Sequence, residues 1–106
     1  MENAFLAIDA EVEKEPYSRE TGTTSCVVLI TPDEIYCANA GDSRGVLKSG
    51  DKAIPLSLDH KPELPGEKRR IMEAGHSVGM ARVDGNLALS RAFGDFQYKD
   101  KPSLPP

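Results

Sequence analysis

The sequence predicts an α+β fold, an antiparallel sheet with flanking helices that is incomplete in this chain. Three observations lead there. Between residues 23 and 57, short apolar and β-branched runs alternate with Gly, Pro, Asp and Ser turns. One amphipathic helix pattern precedes these runs and another follows them. The run Cys26–Ile30 shows no polar alternation, as expected of a strand covered on both faces.

Residues 1–14 read as a helix, with Phe5, Ile8 and Val12 on one face and Glu2, Asp9 and Glu13 away from it. Pro16 ends it. "TTSCVVLI" (23–30) reads as a buried strand and "TPDE" (31–34) as a turn whose proline has the right fixed φ. "IYCANA" (35–40) returns as its hairpin partner. "GDSR" (41–44) turns again, and "GVLK" (45–48) forms a third strand. "SGD" (49–51) leads into a fourth, "KAIPLS" (52–57), where Pro55 implies an edge or a bulge. The result is a meander.

The pattern then changes. "DHKPELPGEKRRIMEAG" passes Pro62 and Pro65, runs through strong helix formers and ends at Gly75, matching the asymmetry of helix termini. Short strands around "HSVGM" (76–80) and "NLALS" (86–90) are joined by a turn at Asp84-Gly85. The tail, residues 100–106, carries three of the eight prolines and reads as extended or disordered. Two short helices cover only part of a sheet's two faces, so the chain reads as part of a larger layered structure.

Composition sets the outer limits. With 106 residues there is at most one small domain, and without Trp its core rests on Val, Ile, Leu and Ala. A net charge of -4 argues against nucleic acid. The cluster Lys68-Arg69-Arg70 is interleaved with Glu67 and Glu73 and reads as a solvated helix face. No run has membrane-spanning length, and the start has no signal-peptide pattern. If Ile30 pairs with Ile35, Cys26 faces Asn39 and Cys37 faces Val28. The two cysteines are then diagonal neighbours about 7–8 Å apart by backbone, long for a disulfide. Two reduced thiols in a cytoplasmic protein are expected.

Four clusters, "TGTTS" (21–25), "ANAGDSRGVL" (38–47), "LSLDHKPELPGEKRRI" (56–71) and "RVDGNLALSRAFGD" (82–95), carry a resemblance. Their order and spacing resemble the middle of metal-dependent protein serine/threonine phosphatases of the 2C type, over residues 21–99 of a single catalytic domain. Residues 1–20 are then a helix and linker, and 100–106 a proline-rich tail. The resemblance implies a β-sandwich of two antiparallel sheets flanked by helices, of which this chain is a part. It also implies two Mn²⁺ or Mg²⁺ ions held by aspartates and a metal-bridging water that attacks phosphoserine or phosphothreonine in phosphoprotein substrates.

The family's "DGHGG" segment and its phosphate-binding arginine would lie upstream of residue 1, and its later metal aspartates downstream of residue 106. The isolated chain is therefore expected to be inactive. Asp84 aligns with a variable turn position, and the Asp59-His60 pair belongs to "LSxDHKP" rather than to the catalytic motif. Asp42 is the one metal candidate, because the family places the carboxylate of "GDSR" where it helps bind an additional, weaker metal. The residues alone offer a structural reading too, with Asp42 and Ser43 bonding the local backbone. Arg44 and Arg91 are expected to tie loops to carboxylates such as Asp95, and His60 and His76 to cap or pack. Ser43 and Ser90 have no His–Asp arrangement near them in the sequence.

Three readings compete: an enzyme fragment, a non-catalytic binding module, and a self-associating module derived from the fold. An uncovered sheet predicts a homodimer, possibly domain-swapped, with residues 67–95 handed across on the stiff segment 59–65.

Overall fold

The computed structural model describes residues 1–100. Helix α1 spans Glu2–Val12, and a series of turns leads to β1, Gly22–Thr23. Next come β2 (Ser25–Ile30), β3 (Ile35–Ala40), β4 (Val46–Ser49) and β5 (Lys52–Pro55). Helix α2 (Pro65–Glu73) is followed by β6 (Val78–Gly79), β7 (Arg82–Val83), β8 (Phe93–Gly94) and a 3₁₀ turn at Phe96–Tyr98. The expected tail lies largely outside the described residues.

The β2–β3 hairpin has the register the sequence predicts, with Ile30 opposite Ile35, Cys26 opposite Asn39 and Val28 opposite Cys37. Its turn is closed by Thr31, whose N–H donates to the Glu34 carbonyl at 2.9 Å and whose hydroxyl accepts from the Glu34 N–H at 3.0 Å. The expected meander, however, is four separate two-stranded ladders: β1–β8, β2–β3, β4–β5 and β6–β7, all antiparallel. β3 does not pair with β4, because Gly41–Gly45 leaves the ladder to bond residues 56–60 instead.

Two further expectations change. "NLALS" forms no strand; only Leu87 bridges, to Val83. The chain reverses earlier, at Met80 and Ala81 (φ 51° and 59°), and again at Asp84-Gly85 (φ 48° and 77°). In α1, Asp9 is buried while Leu6 and Ile8 are half exposed, so the apolar stripe does not choose the inward face. Phe5 does turn inward, edge-on against Phe93 at 5.1 Å between ring centroids.

What orients α1 is a buried ion pair. The Lys99 ammonium donates to both carboxylate oxygens of Asp9, at 3.0 and 2.8 Å, and to the Ala92 carbonyl at 2.7 Å. It also lies 4.7 Å from the centre of the Phe96 ring. Asp9 Oδ1 accepts the backbone N–H of Gly94 at 2.9 Å. Every charge here is matched by hydrogen bonds, the condition under which a buried pair is tolerated.

Helix α2 starts with Pro65 in its first turn, where the missing N–H costs nothing. It buries Ile71, which with Ala74 and Val83 forms a small core closed by Val78, Leu87 and Tyr98. Full burial of Ile71 is worth about 1.5–3 kcal/mol. The β2–β3 hairpin, by contrast, leaves Val27, Val28, Leu29, Ile30 and Ile35 exposed among the described residues.

Replacing Lys99 by Met leaves the Asp9 carboxylate buried without its cation, and should lower unfolding free energy by about 3–5 kcal/mol. Adding Asp9→Asn should restore part of this, because a neutral carboxamide still accepts from Gly94. Chemical denaturation of the single and double variants measures both effects.

Candidate functional site

The "GDSR" loop and the "LSLDHK" segment are two sides of one junction. Gly41 makes the first contact: its carbonyl accepts the His60 N–H at 2.9 Å and its N–H donates to His60 Nδ1 at 3.1 Å. Nδ1 is therefore the bare ring nitrogen, and a neutral His60 carries its proton on Nε2. Gly41 has φ +108°, and a Cβ there would lie 2.4 Å from the Thr24 methyl. Only glycine fits. The Asn39 amide donates to the carbonyls of Gly41 and Leu58, both at 3.0 Å. Farther along, Gly45 N–H donates to Ser57 Oγ at 2.9 Å, and the Gly45 carbonyl accepts Leu56 N–H at 2.8 Å.

Side chains complete the junction. The Arg44 guanidinium makes a two-pronged bond to Asp59, at 2.9 and 2.8 Å. Lys61 Nζ donates to Asp42 Oδ2 at 2.8 Å. Ser43 Oγ meets Thr24 Oγ1 at 2.7 Å. Asp42 and Ser43 thus reach other segments, whereas a purely local turn would have put them on the loop's own backbone.

The remaining clusters join the same assembly. Ser90 N–H donates to the His60 carbonyl at 3.2 Å, and Asp95 N–H to that of Thr21 at 2.8 Å. Arg91 grips Glu67 through Nε (3.0 Å) and Nη2 (2.7 Å). Arg70 bonds Glu67 at 2.9 Å and the Ser90 carbonyl at 2.7 Å. The sequence anticipated loop-tying arginines; the carboxylates they hold include Asp59 and Glu67. The Asp95 carboxyl lies against Gly22, where a Cβ would approach it to 2.1 Å, and burial raises its pKa.

Both histidines have structural partners. His76 Nδ1 lies 2.7 Å from Asp84 Oδ2, while Asp84 Oδ1 accepts the Ser77 N–H (2.8 Å) and hydroxyl (3.0 Å). Asp84 is a turn residue, as its alignment implied. Burial, with the positive field of Arg91, lowers the His60 pKa and keeps the ring neutral. Asp59 is held below the usual carboxylate range chiefly by Arg44, and Lys61 is raised chiefly by Asp42.

Among the described residues, no three His, Cys, Asp or Glu side chains gather where they could hold a metal ion. Asp42 is about a third exposed and is neutralised by Lys61, and Asp59 is occupied by Arg44. These residues do not fit a dinuclear centre by themselves. Asp42 fits only as a single oxygen ligand.

Sequence reasoning missed Asp9, Lys99 and Glu67. Asp9 had a signal, since it lies four positions after Phe5 and so on the same helix face.

Burial raises the Glu67 pKa, but hydrogen bonds from Arg91 and Arg70 outweigh it, and the pKa falls to about 2 from an ordinary 4.5. A depressed folded-state pKa gives stability that is fully present above the unfolded value. That stability is lost as pH falls from about 4.5 to about 2. Glu67→Gln should therefore flatten the stability profile in that window, with the remaining slope due to groups such as Asp59. Urea midpoints measured across the acid range test this.

Comparison with known proteins agrees with this geometry. The family model described as Protein phosphatase 2C matches residues 1–105. Protein phosphatase 2C homolog 2 of Hypocrea jecorina is 51% identical over 108 residues, covering 100% of this chain and 25% of that protein. The protein of the same name from Schizosaccharomyces pombe is 49% identical over 109 residues, covering 100% of this chain and 30% of its own length. Among solved structures, a sex-determining protein of Caenorhabditis elegans superposes with TM-score 0.76 at 30% identity, covering 97% of this chain and 26% of that one. A phosphatase from Toxoplasma gondii gives TM-score 0.70 at 30% identity, covering 98% of this chain and 48% of its own. The chain thus spans about a quarter of the length of the fungal relatives it matches. It belongs to the protein phosphatase 2C family.

Proposed function

We propose that the protein carrying this chain is a metal-dependent serine/threonine phosphatase that hydrolyses phosphoserine and phosphothreonine in cytoplasmic proteins. The observation that carries this reading is the family match across residues 1–105, supported by the convergence of all four sequence clusters on one junction. In the complete enzyme, Mn²⁺ or Mg²⁺ would supply Lewis acidity and an activated water. The residues of this chain have a positioning role. Asn39, Arg44 and His60 fix the loop that carries Asp42, and Asp42 offers one oxygen to a weakly held outer cation. Lys61 competes for that oxygen.

This assignment predicts opposite effects for two neighbouring substitutions. In the complete protein, Asp42→Asn should weaken the low-affinity phase of Mn²⁺ binding, whereas Lys61→Met should strengthen it, both read by calorimetric titration. If Asp42→Asn lowers Tm and leaves metal binding untouched, the carboxylate has only a structural role. The isolated 106-residue chain should show little or no hydrolysis of p-nitrophenyl phosphate with Mn²⁺. EDTA-sensitive turnover comparable to that of a complete relative would refute that reading.

A second reading has its own observation. Val27, Val28, Leu29 and Ile30 are exposed on both faces of β2, and Val46 and Ile54 on the β4–β5 hairpin, and exposed apolar faces of this kind favour association. In isolation the chain should dimerise through them, by sheet-edge pairing or by exchange of residues 67–95. Light scattering at high micromolar concentration measures this, and a stable monomer would contradict it.

A further inference from the structure

The β2–β3 register makes Cys26 and Cys37 diagonal neighbours on one face of the hairpin. Both are free thiols, and their sulfurs lie 3.9 Å apart. That is closer than the backbone spacing alone indicated, because the two side chains lean together. Above them passes Gly45. A Cβ there would lie 3.0 Å from Cys37 Sγ and 3.5 Å from Cys26 Sγ, so the pair is roofed by bare backbone. Cys37 also lines an open groove of about 470 Å³, with Phe5, Asn39, Ser57 and His60 among its walls. The pair has a route to small molecules.

We propose that Cys26 and Cys37 form a reversible intramolecular disulfide when the protein meets a low-molecular-weight disulfide such as oxidised glutathione. Cys37, on the groove side, loses its proton and attacks one sulfur of the oxidant. The oxidant's S–S bond breaks, and one glutathione leaves as a thiolate that takes up a proton. Deprotonated Cys26 then attacks the Cys37 sulfur of the mixed disulfide and displaces the second glutathione. Two protein thiols are oxidised and one glutathione disulfide is reduced to two thiols. No other reactant is required.

Geometry accounts for reversibility. The sulfurs must close to about 2.05 Å, while diagonal partners in such a ladder stand about 7–8 Å apart by backbone. The strands must draw together to close it, which leaves the bond open to reduction by reduced glutathione, while sulfurs that start 3.9 Å apart give the fold its advantage over an unfolded chain. Its site gives it leverage: Cys37 is two positions before Asn39, whose amide holds both sides of the junction. Partial burial, together with Cys26, pushes the Cys37 thiol above its ordinary value. The first step should therefore accelerate with pH well past neutrality.

Residues 20–44 form one tryptic segment that contains both cysteines and no internal Lys or Arg. The complete protein is equilibrated with mixtures of oxidised and reduced glutathione, folded or in concentrated urea, then acid-quenched, alkylated and digested. In the folded protein this segment should lack both alkyl groups and weigh two hydrogens less. That state should be reached with about tenfold less oxidant than in urea, because the fold raises the thiols' effective concentration. Two alkyl groups, two glutathione adducts without an internal bond, or equal oxidation in urea would overturn the proposal. Cys26→Ser should trap Cys37 as a glutathione mixed disulfide. An unmodified Cys37 in that variant would overturn the order of attack.

Discussion

The rest of the structure depends on the buried pair between Asp9 and Lys99. A small chain with few aromatic residues has little apolar surface to join its ends. Here a carboxylate from the first helix receives an ammonium and a backbone N–H from residues ninety positions away in sequence or nearly so. Lys99 holds the Ala92 carbonyl as well, so one cation fixes residues 92–99 against α1. Only with β8 held there can it pair with β1, through Gly22–Gly94 and Thr23–Phe93. Gly94, at φ +74°, is required at this crossing: a Cβ would sit 2.3 Å from the Thr21 carbonyl oxygen.

From that crossing the constraint passes inward. Residues 90–92 lead from β8 back to Arg91, which grips Glu67, and to Ser90, which bonds His60. His60 in turn holds Gly41, and Gly41 sets the start of the loop that presents Asp42. Each contact between these segments is a hydrogen bond, and the Arg91–Glu67 pair is charge-assisted. The structural contribution of these links is therefore positional. They hold together a loop assembly that presents one partly exposed carboxylate, Asp42, with Lys61 bonded to it.

The sequence was most legible where chemistry is local. The β2–β3 hairpin emerged in its full register because two short strand-like runs flank a Thr-Pro-Asp-Glu turn that fixes where they pair. Helix α2 emerged because Pro65 and Gly75 punctuate it. Longer-range choices were not legible. Nothing local tells that "GDSR" bonds residues 56–61 in place of extending a meander, since that depends on Ser57, Asp59 and His60 arriving from another hairpin. The spacing from Phe5 places Asp9 on the inward face of α1, but nothing local reveals its partner cation, which comes from the opposite end of the described chain. Asp42 was picked out through family resemblance. Its pairing with Lys61 required the fold.

Amide hydrogen exchange at Gly94 tests the central claim most directly. Its N–H points at a buried carboxylate held by Lys99, so local opening must break the ion pair and separate α1 from β8. Its exchange should be among the slowest in the chain and should match global unfolding in its denaturant dependence. Exchange as fast as that of an exposed loop amide, with the protein otherwise folded, would show that the clamp does not hold the chain together.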